Sequence, residues 1–247
     1  MSDAAWRLRY FNTLSSTSDL CRSLAIAGEP EGLAVLADRQ TAGRGSRGRE
    51  WDSPAGNLYL SVLLRPKEHV SRVGQWSLLA GLALAEAIAP HVPDASALTL
   101  KWPNDLLLEG RKLAGILLDT LAGQTGAVAW LVIGMGANLV SAPRLPDRTT
   151  AAVADVAAAP SAQNLATAVL ARLDHWRRTR LLDGFAPIRA KWLEHAAAPG
   201  TRLTIRVGEH EVGGSFAGLG DDGSLLLQSG GRVHAFTTGE VLLPCSS

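Results

Sequence analysis

Apolar residues recur along this chain in two rhythms, which divide it into strands and helices followed by a tail of strands alone. Ser15 to Asp19 offers N-cap chemistry ahead of LCRSLAIAG, and Gly28 offers a stop, so a helix is predicted between them. GLAVLADRQ (32–40) and NLYLSVLLR (57–65) are short apolar runs that read as buried strands, separated by a Gly/Arg-rich loop at 43–49. Ser71 to Ala89 is long, rich in Ala and Leu and halted by Pro90, the pattern of a core helix. Strands are predicted at LTLK (98–101), DLLLE (105–109), LAGILLDTL (113–121) and AVAWLVIGMG (127–136). Leu165, Val169, Leu173 and Trp176 repeat at helical spacing within 161–182, and a shorter helix is predicted from Phe185 to His195. The Ala-rich stretch 151–159 reads as a variable surface segment.

The pattern changes after Ala196-Ala197-Ala198-Pro199-Gly200. RLTIRV, SLLLQ, RVHAF and EVLL alternate with turn signals at Gly213-Gly214, Asp221-Asp222-Gly223 and Gly230-Gly231, which predicts a small β-barrel. The expected division is a larger domain over 1–198 and a smaller one over 199–247.

Composition narrows the classes. The chain has 247 residues, 47% hydrophobic and 19% charged, with 24 basic and 23 acidic side chains for a net charge of +1. That balance argues against a chain built to coat nucleic acid or an anionic membrane. The longest apolar run, Leu78 to Ala89, contains Glu86 and is about a dozen residues long, against about twenty for a bilayer span. The N-terminus lacks an apolar signal core, and Cys21 and Cys245 have neither disulfide nor metal-cluster spacing, so the cytoplasm is expected. Only four of the basic residues are Lys, which draws attention to Lys101 and Lys112 inside motifs.

Three segments carry candidate chemistry. In Gly43-Arg44-Gly45-Ser46-Arg47-Gly48-Arg49-Glu50-Trp51 the glycines let backbone N–H groups approach an anion, and the arginines supply forked donors for phosphate oxygens. No Gly-Lys-Ser/Thr ending is present, so this is not a P-loop, and a flexible basic surface loop is the plainer alternative. Trp51 is either a ring that stacks on a purine or an anchor. In Lys101-Trp102-Pro103-Asn104-Asp105, Pro103 breaks a strand, and the leucines after Asp105 put its carboxylate near a buried position. Such a group needs a partner: Lys101, Lys112 or a substrate amine. Gly115, in the strand that Lys112 opens, predicts a close approach to the backbone. Ile133-Gly134-Met135-Gly136-Ala137-Asn138 reads as a strand ending in a Gly-x-Gly turn followed by an amide.

In this order the segments resemble the biotin–protein ligase family over nearly the whole chain. The loop 43–51 is similar to that family's Gly-Arg-Gly-Arg-Arg-Gly-Arg-x-Trp signature, and KWPND and Lys112-Leu113-Ala114-Gly115-Ile116-Leu117 match at the expected separation. The resemblance implies an α/β (α+β) catalytic domain, a mixed sheet flanked by helices and related to class II aminoacyl-tRNA synthetases, followed by an SH3-like barrel. It implies that Ser16, Thr17, Ser18 and Gln40 line a biotin pocket with Arg44, Gly45, Ser46, Lys112 and Gly115. Arg44, Arg47, Arg49, Trp51, Asn104, Lys112 and Asn138 would hold ATP or the adenylate, with Lys112, Arg44 and Asp105 catalytic. The substrates implied are biotin, ATP with Mg²⁺ held through its phosphates, and the biotin-carboxyl-carrier domain of biotin-dependent carboxylases. No redox cofactor, nucleic acid or membrane is implied, and either a monomer or a weak homodimer would serve.

Two departures qualify the match. Members that also repress transcription carry an N-terminal DNA-binding domain, and only fifteen residues precede Ser16, so repression is not expected. Ser46 stands where the signature has Arg. The alternatives are a lipoate or octanoate attachment enzyme, whose transferase type needs a Cys nucleophile, and a non-catalytic biotin-responsive regulator.

Overall fold

Two sheets organise the chain in the computed structural model, which describes residues 6–146 and 148–242. The first holds β1 (Arg7–Leu14), β2 (Leu33–Gln40), β3 (Leu58–Leu64), β4 (Leu98–Lys101), β5 (Asp105–Leu108), β6 (Arg111–Ala122) and β7 (Val128–Ala137). Its order is β1-β2-β3-β7-β6-β5-β4. Only β1 and β2 run parallel, and every other neighbouring pair is antiparallel, so the sheet is mixed as expected.

Burial explains the strand sequences. All seven residues of β3 are buried, because it lies mid-sheet with both faces covered, which is why it reads as an unbroken apolar run. One face packs on α1 (Thr17–Ile26) through Cys21, Ala25, Leu33, Val35, Leu63 and Val132. The opposite face packs on α2 (Gly74–Ile88) and α3 (Ala162–Asp183), with α4 (Ala186–Glu194) alongside. α2 is apolar on every side and nearly all buried, the mark of a core helix. The stretch Val70–His91 around it is apolar enough to cross a bilayer by length and composition, yet its most apolar 18-residue window is 78% buried in the protein. α3 begins where Ser161 Oγ accepts from Asn164 N at 3.2 Å and stops at Gly184, whose φ of 77° favours a residue without Cβ.

The second sheet contains β8 (Arg202–Val207), β9 (His210–Leu219), β10 (Leu225–Ser229), β11 (Arg232–Phe236) and β12 (Glu240–Leu242), in the order β11-β10-β9-β8-β12, all antiparallel. It is compatible with the small SH3-like unit expected, and no pairing closes it into a barrel among the described residues. Leu203, Ile205, Phe216, Leu219, Leu225, Leu227 and Val241 belong to the same buried cluster as α2 and the large sheet. Polar ties cross as well: Trp102 Nε1 donates to Gly223 O at 3.1 Å and Gln75 Nε2 to Asp221 O at 3.1 Å.

Four expectations need correction. β1 was not anticipated, since its side chains are mostly exposed and carry no apolar alternation. Gly213-Gly214 is not a turn but the middle of β9, whose turn lies at residues 208–209. Gly134 and Gly136 do not form a turn either; both are paired residues inside β7. Ala151, Ala152 and Val153, read as variable surface, are fully buried. Leu243 and Cys245 lie outside the described residues.

Candidate active site

β7 is the floor on which the site is laid out. Its register puts Gly134 opposite Ser61 and Gly136 opposite Gly115, and Asn138 follows the strand. A Cβ on Gly134 would lie 2.5 Å from Ser18 Oγ, and one on Gly136 would lie 2.8 Å from the Trp51 indole. Glycine at each position is therefore a demand of close approach. At Gly115 the group that approaches the backbone is again Trp51, 3.2 Å from an added Cβ, with Lys112 Nζ at 3.4 Å. Four residues of strand separate Gly134 from Asn138, roughly 13 Å at 3.3–3.4 Å per residue.

At the Gly134 end the wall is a chain of hydroxyls and an amide. Ser16 caps α1 by accepting from Asp19 N at 3.3 Å, which turns Thr17 and Ser18 inward in its first turn. Gln40 Oε1 accepts from Thr17 N at 2.8 Å and from Thr17 Oγ1 at 3.1 Å. Since that hydroxyl donates to Gln40, Ser61 donates to Thr17 at 2.8 Å and Ser18 to Ser61 at 3.0 Å. Gln40 Nε2 in turn donates to Ser53 Oγ at 3.0 Å, and Ser53 to Trp51 O at 2.8 Å. The hydroxyl network thus fixes the start of α1 and the end of the Gly/Arg loop together.

At the Gly136 end the site is cationic. Asp105 and Lys112 face each other because β5 pairs with β6, and Lys112 Nζ donates to Asp105 Oδ1 at 2.5 Å. Lys101 holds Oδ2 at 3.1 Å. Burial alone would raise the Asp105 pKa, but these two ammonium groups outweigh it and hold the carboxyl below its ordinary range. For Lys112, burial outweighs the attraction of Asp105 and draws its pKa below the ordinary value. Its Nζ also sits 5.5 Å from the Trp51 ring centre.

A cavity of about 730 Å³ joins the two ends. It is lined by Ser16, Thr17, Ser18, Gln40, Arg44, Gly45, Ser46, Arg49, Trp51, Asn104, Lys112, Gly115 and Asn138. Arg47 and Asp105 line an adjoining cavity of about 200 Å³ instead, shared with Ser46, Arg49 and Asn104. Arg44 is bonded to Asp19 at 2.7 Å and lies 3.5 Å from Asp119. Ser46 begins a short 3-10 turn, and Arg49 Nη2 donates to its Oγ at 3.2 Å. Asn104 donates from Nδ2 to Ile116 O at 2.8 Å, which closes the β5–β6 edge. Asn138 donates to Ala151 O at 3.0 Å, while its buried Oδ1 and the buried Trp51 Nε1 have no hydrogen-bond partner in the structure.

Sequence reasoning missed several residues here. Ser61 and Ser53 complete the hydroxyl network, and Arg148 and Glu240 flank the loop, while Lys101, one of the partners anticipated for Asp105, is its second cation. Lys101 had a signal, its place four residues before Asp105; the others are assembled by the tertiary fold. Among the described residues no group of three His, Cys, Asp or Glu side chains converges as a metal site. Cys21 is buried against Ser61 O, and burial pushes its thiol up to about 12, which is unfit for a nucleophile.

Residues 10–138 match the biotin/lipoate A/B protein ligase family. The chain is 37% identical over 213 residues to a biotin–[acetyl-CoA-carboxylase] ligase of Paracoccus denitrificans, spanning 84% of this chain and 88% of that one. It is 33% identical over 239 residues to the ligase of the same name from Mycobacterium tuberculosis, spanning 93% and 86%. The solved biotin protein ligase of Aquifex aeolicus in complex with biotin and ATP superposes with a TM-score of 0.78 at 26% identity, covering 95% of this chain and 97% of that one. The chain belongs to the biotin/lipoate A/B protein ligase family.

Proposed function

We propose that this enzyme is a biotin–protein ligase that activates biotin with ATP and then joins it to a lysine of an acceptor protein. The observation that carries this reading is the order of chemistry along β7: neutral hydroxyls at Gly134, a lysine and a tryptophan at Gly136, and an amide at Asn138. Biotin's ureido group offers two N–H donors and a strong acceptor, which suits Ser16, Thr17, Ser18 and Gln40. Ser16 accepts from Asp19 N, so its hydroxyl proton remains to be donated to the ureido oxygen. The adenine would lie beside Trp51, with Asn138 Oδ1 accepting from its amino group.

In the first step the biotin carboxylate attacks the α-phosphorus of ATP, the new P–O bond forms, and pyrophosphate leaves with the electrons of the broken one. Lys112 is the group in the cavity suited to meet charge on the non-bridging oxygens, and Arg44, Arg47 and Arg49 supply further cations. Mg²⁺ would be held by the nucleotide's phosphates rather than by a protein cage, which fits a site where no cluster of ligand side chains converges among the described residues. Bound there, it would neutralise part of the polyphosphate charge.

In the second step a neutral acceptor lysine attacks the mixed-anhydride carbonyl, the C–N bond forms as the C–O bond to AMP breaks, and the proton lost by the amine leaves with the AMP phosphate or to solvent. Both Asp105 oxygens are engaged by ammonium groups and its pKa is depressed, which favours orienting Lys112 over accepting a proton. Arg49 is the residue suited to replace the arginine that Ser46 lacks. Asn104 acts on the ligand chiefly by fixing Ile116.

The acceptor implied is the carrier domain of biotin-dependent carboxylases. We assign the enzyme to the cytoplasm, where ATP is abundant and a buried, unpaired Cys21 stays reduced. A monomer or a weak homodimer is the assembly proposed. Incubating a carrier domain with enzyme, biotin, ATP and Mg²⁺ should add the mass of one amide-linked biotin. Modification with lipoate or octanoate and none with biotin would overturn the reading.

A further inference from the structure

Glu240 on β12 is the meeting point of three guanidinium groups from two separate loops. Arg47 Nη1 is bonded to its Oε2, while Arg49 Nη1 and Arg148 Nη2 each lie 3.5 Å from its Oε1. The carboxylate is only 17% exposed. Burial acts to raise its pKa, but Arg49, Arg47, Arg148 and Lys101 outweigh this and hold it below the ordinary range. Arg148 precedes the buried segment 151–153 and follows no motif, yet it lines the large cavity with Lys112 and Trp51.

We propose that Arg148 is a further phosphate-binding residue, and that Glu240 is the internal anion from which the three arginines are transferred to the nucleotide's polyphosphate. The inference rests on the reading that the loop 43–51 binds those phosphates. A carboxylate and a phosphate edge offer a guanidinium the same pair of oxygen acceptors, so the two compete for one set of donors. Glu240 itself has little freedom to leave. Its neighbour Val241 is buried in the shared core, pairs with Ile205, and accepts from Lys101 Nζ at 3.2 Å. The arginine side chains of Arg47 and Arg49 are 46% and 40% exposed and lie on a loop, so these move and the strand stays. The adjoining 200 Å³ cavity, lined by Arg47, Arg49, Lys101 and Glu240, is where the β- and γ-phosphates would displace the carboxylate.

Steady-state pyrophosphate exchange tests this, with separate KM values for ATP and biotin. Arg148→Ala should raise the ATP KM by about tenfold, the worth of one charge-assisted hydrogen bond, with the biotin KM unchanged and Arg148→Lys intermediate. Glu240→Gln, which keeps shape and removes the competing charge, should lower the ATP KM. An unchanged ATP KM in Arg148→Ala, or a raised one in Glu240→Gln, overturns the proposal. The double variant Arg47→Ala/Arg49→Ala separates the two levels. If it raises the ATP KM while Arg148→Ala does not, this inference alone falls; if it too leaves the KM unchanged, the phosphate-loop reading falls with it.

Discussion

Gly136 and Trp51 are fitted to one another: a single added carbon on the strand would stand 2.8 Å from the indole of the loop. An aromatic ring cannot yield at its edge as a flexible chain can, so Gly136→Ala must displace Trp51. A carbon added to Gly134, two residues earlier, would stand 2.5 Å from Ser18 Oγ in the same way, and that hydroxyl would have to rotate out of its bond to Ser61 to make room. Gly136→Ala should therefore raise the ATP KM, and Gly134→Ala the biotin KM, each with little effect on the other substrate. Equal effects of both variants on both substrates would contradict the layout along β7.

Lys112→Ala removes the cation that the proposed mechanism sets against charge on the phosphate. Loss of an oxyanion donor costs about 3–4 kcal/mol, a factor of about 10²–10³ in rate, and pyrophosphate exchange should fall by that much. Near-normal exchange would remove Lys112 from the chemistry.

Buried Asp105 ties two half-buried ammonium groups, and breaking a buried pair from one side costs about 3–5 kcal/mol, an upper bound here. Asp105→Asn should lower stability by that order in urea titrations near neutral pH. The sign of the pH dependence follows from the depressed folded pKa. The contribution is complete above the ordinary value of 3.8 and is lost as pH falls below it through the folded value. The gap between Asp105→Asn and the parent should narrow in acid; a gap independent of pH would contradict the ion pair.

Ser46 departs from the signature arginine, and Arg49 lies on its hydroxyl at 3.2 Å. A charge-assisted hydrogen bond is worth about 1.5–3 kcal/mol, so Ser46→Arg should slow dissociation of the adenylate by about tenfold to a hundredfold. An unchanged dissociation rate would refute this prediction and leave Arg49 as the compensating charge.

The legible parts of this protein were those whose signal is local. β4 falls on the stretch LTLK, and α3 within a residue of its reading, because burial writes itself as periodicity. β1 left no such trace, since an edge strand with exposed side chains needs no apolar rhythm. The Ala-rich 151–153 has no contrast between faces to betray its burial. In the site, Lys112, Asp105 and the Gly/Arg loop were visible as motifs. Ser61, Arg148 and Glu240 are ordinary in their own neighbourhoods, and only the meeting of β3, the loop after β7 and β12 gives them partners.

The core that runs unbroken from α2 into the small sheet has a consequence for folding cooperativity. Phe216 and Leu219 of β9 and the turn at 221–223 meet α4 and the Gln75 end of α2, so separating the small sheet would open that shared cluster. The tail is therefore coupled in stability to the layer it packs on. Swapping it for the equivalent segment of a relative would mean matching α4 and the start of α2.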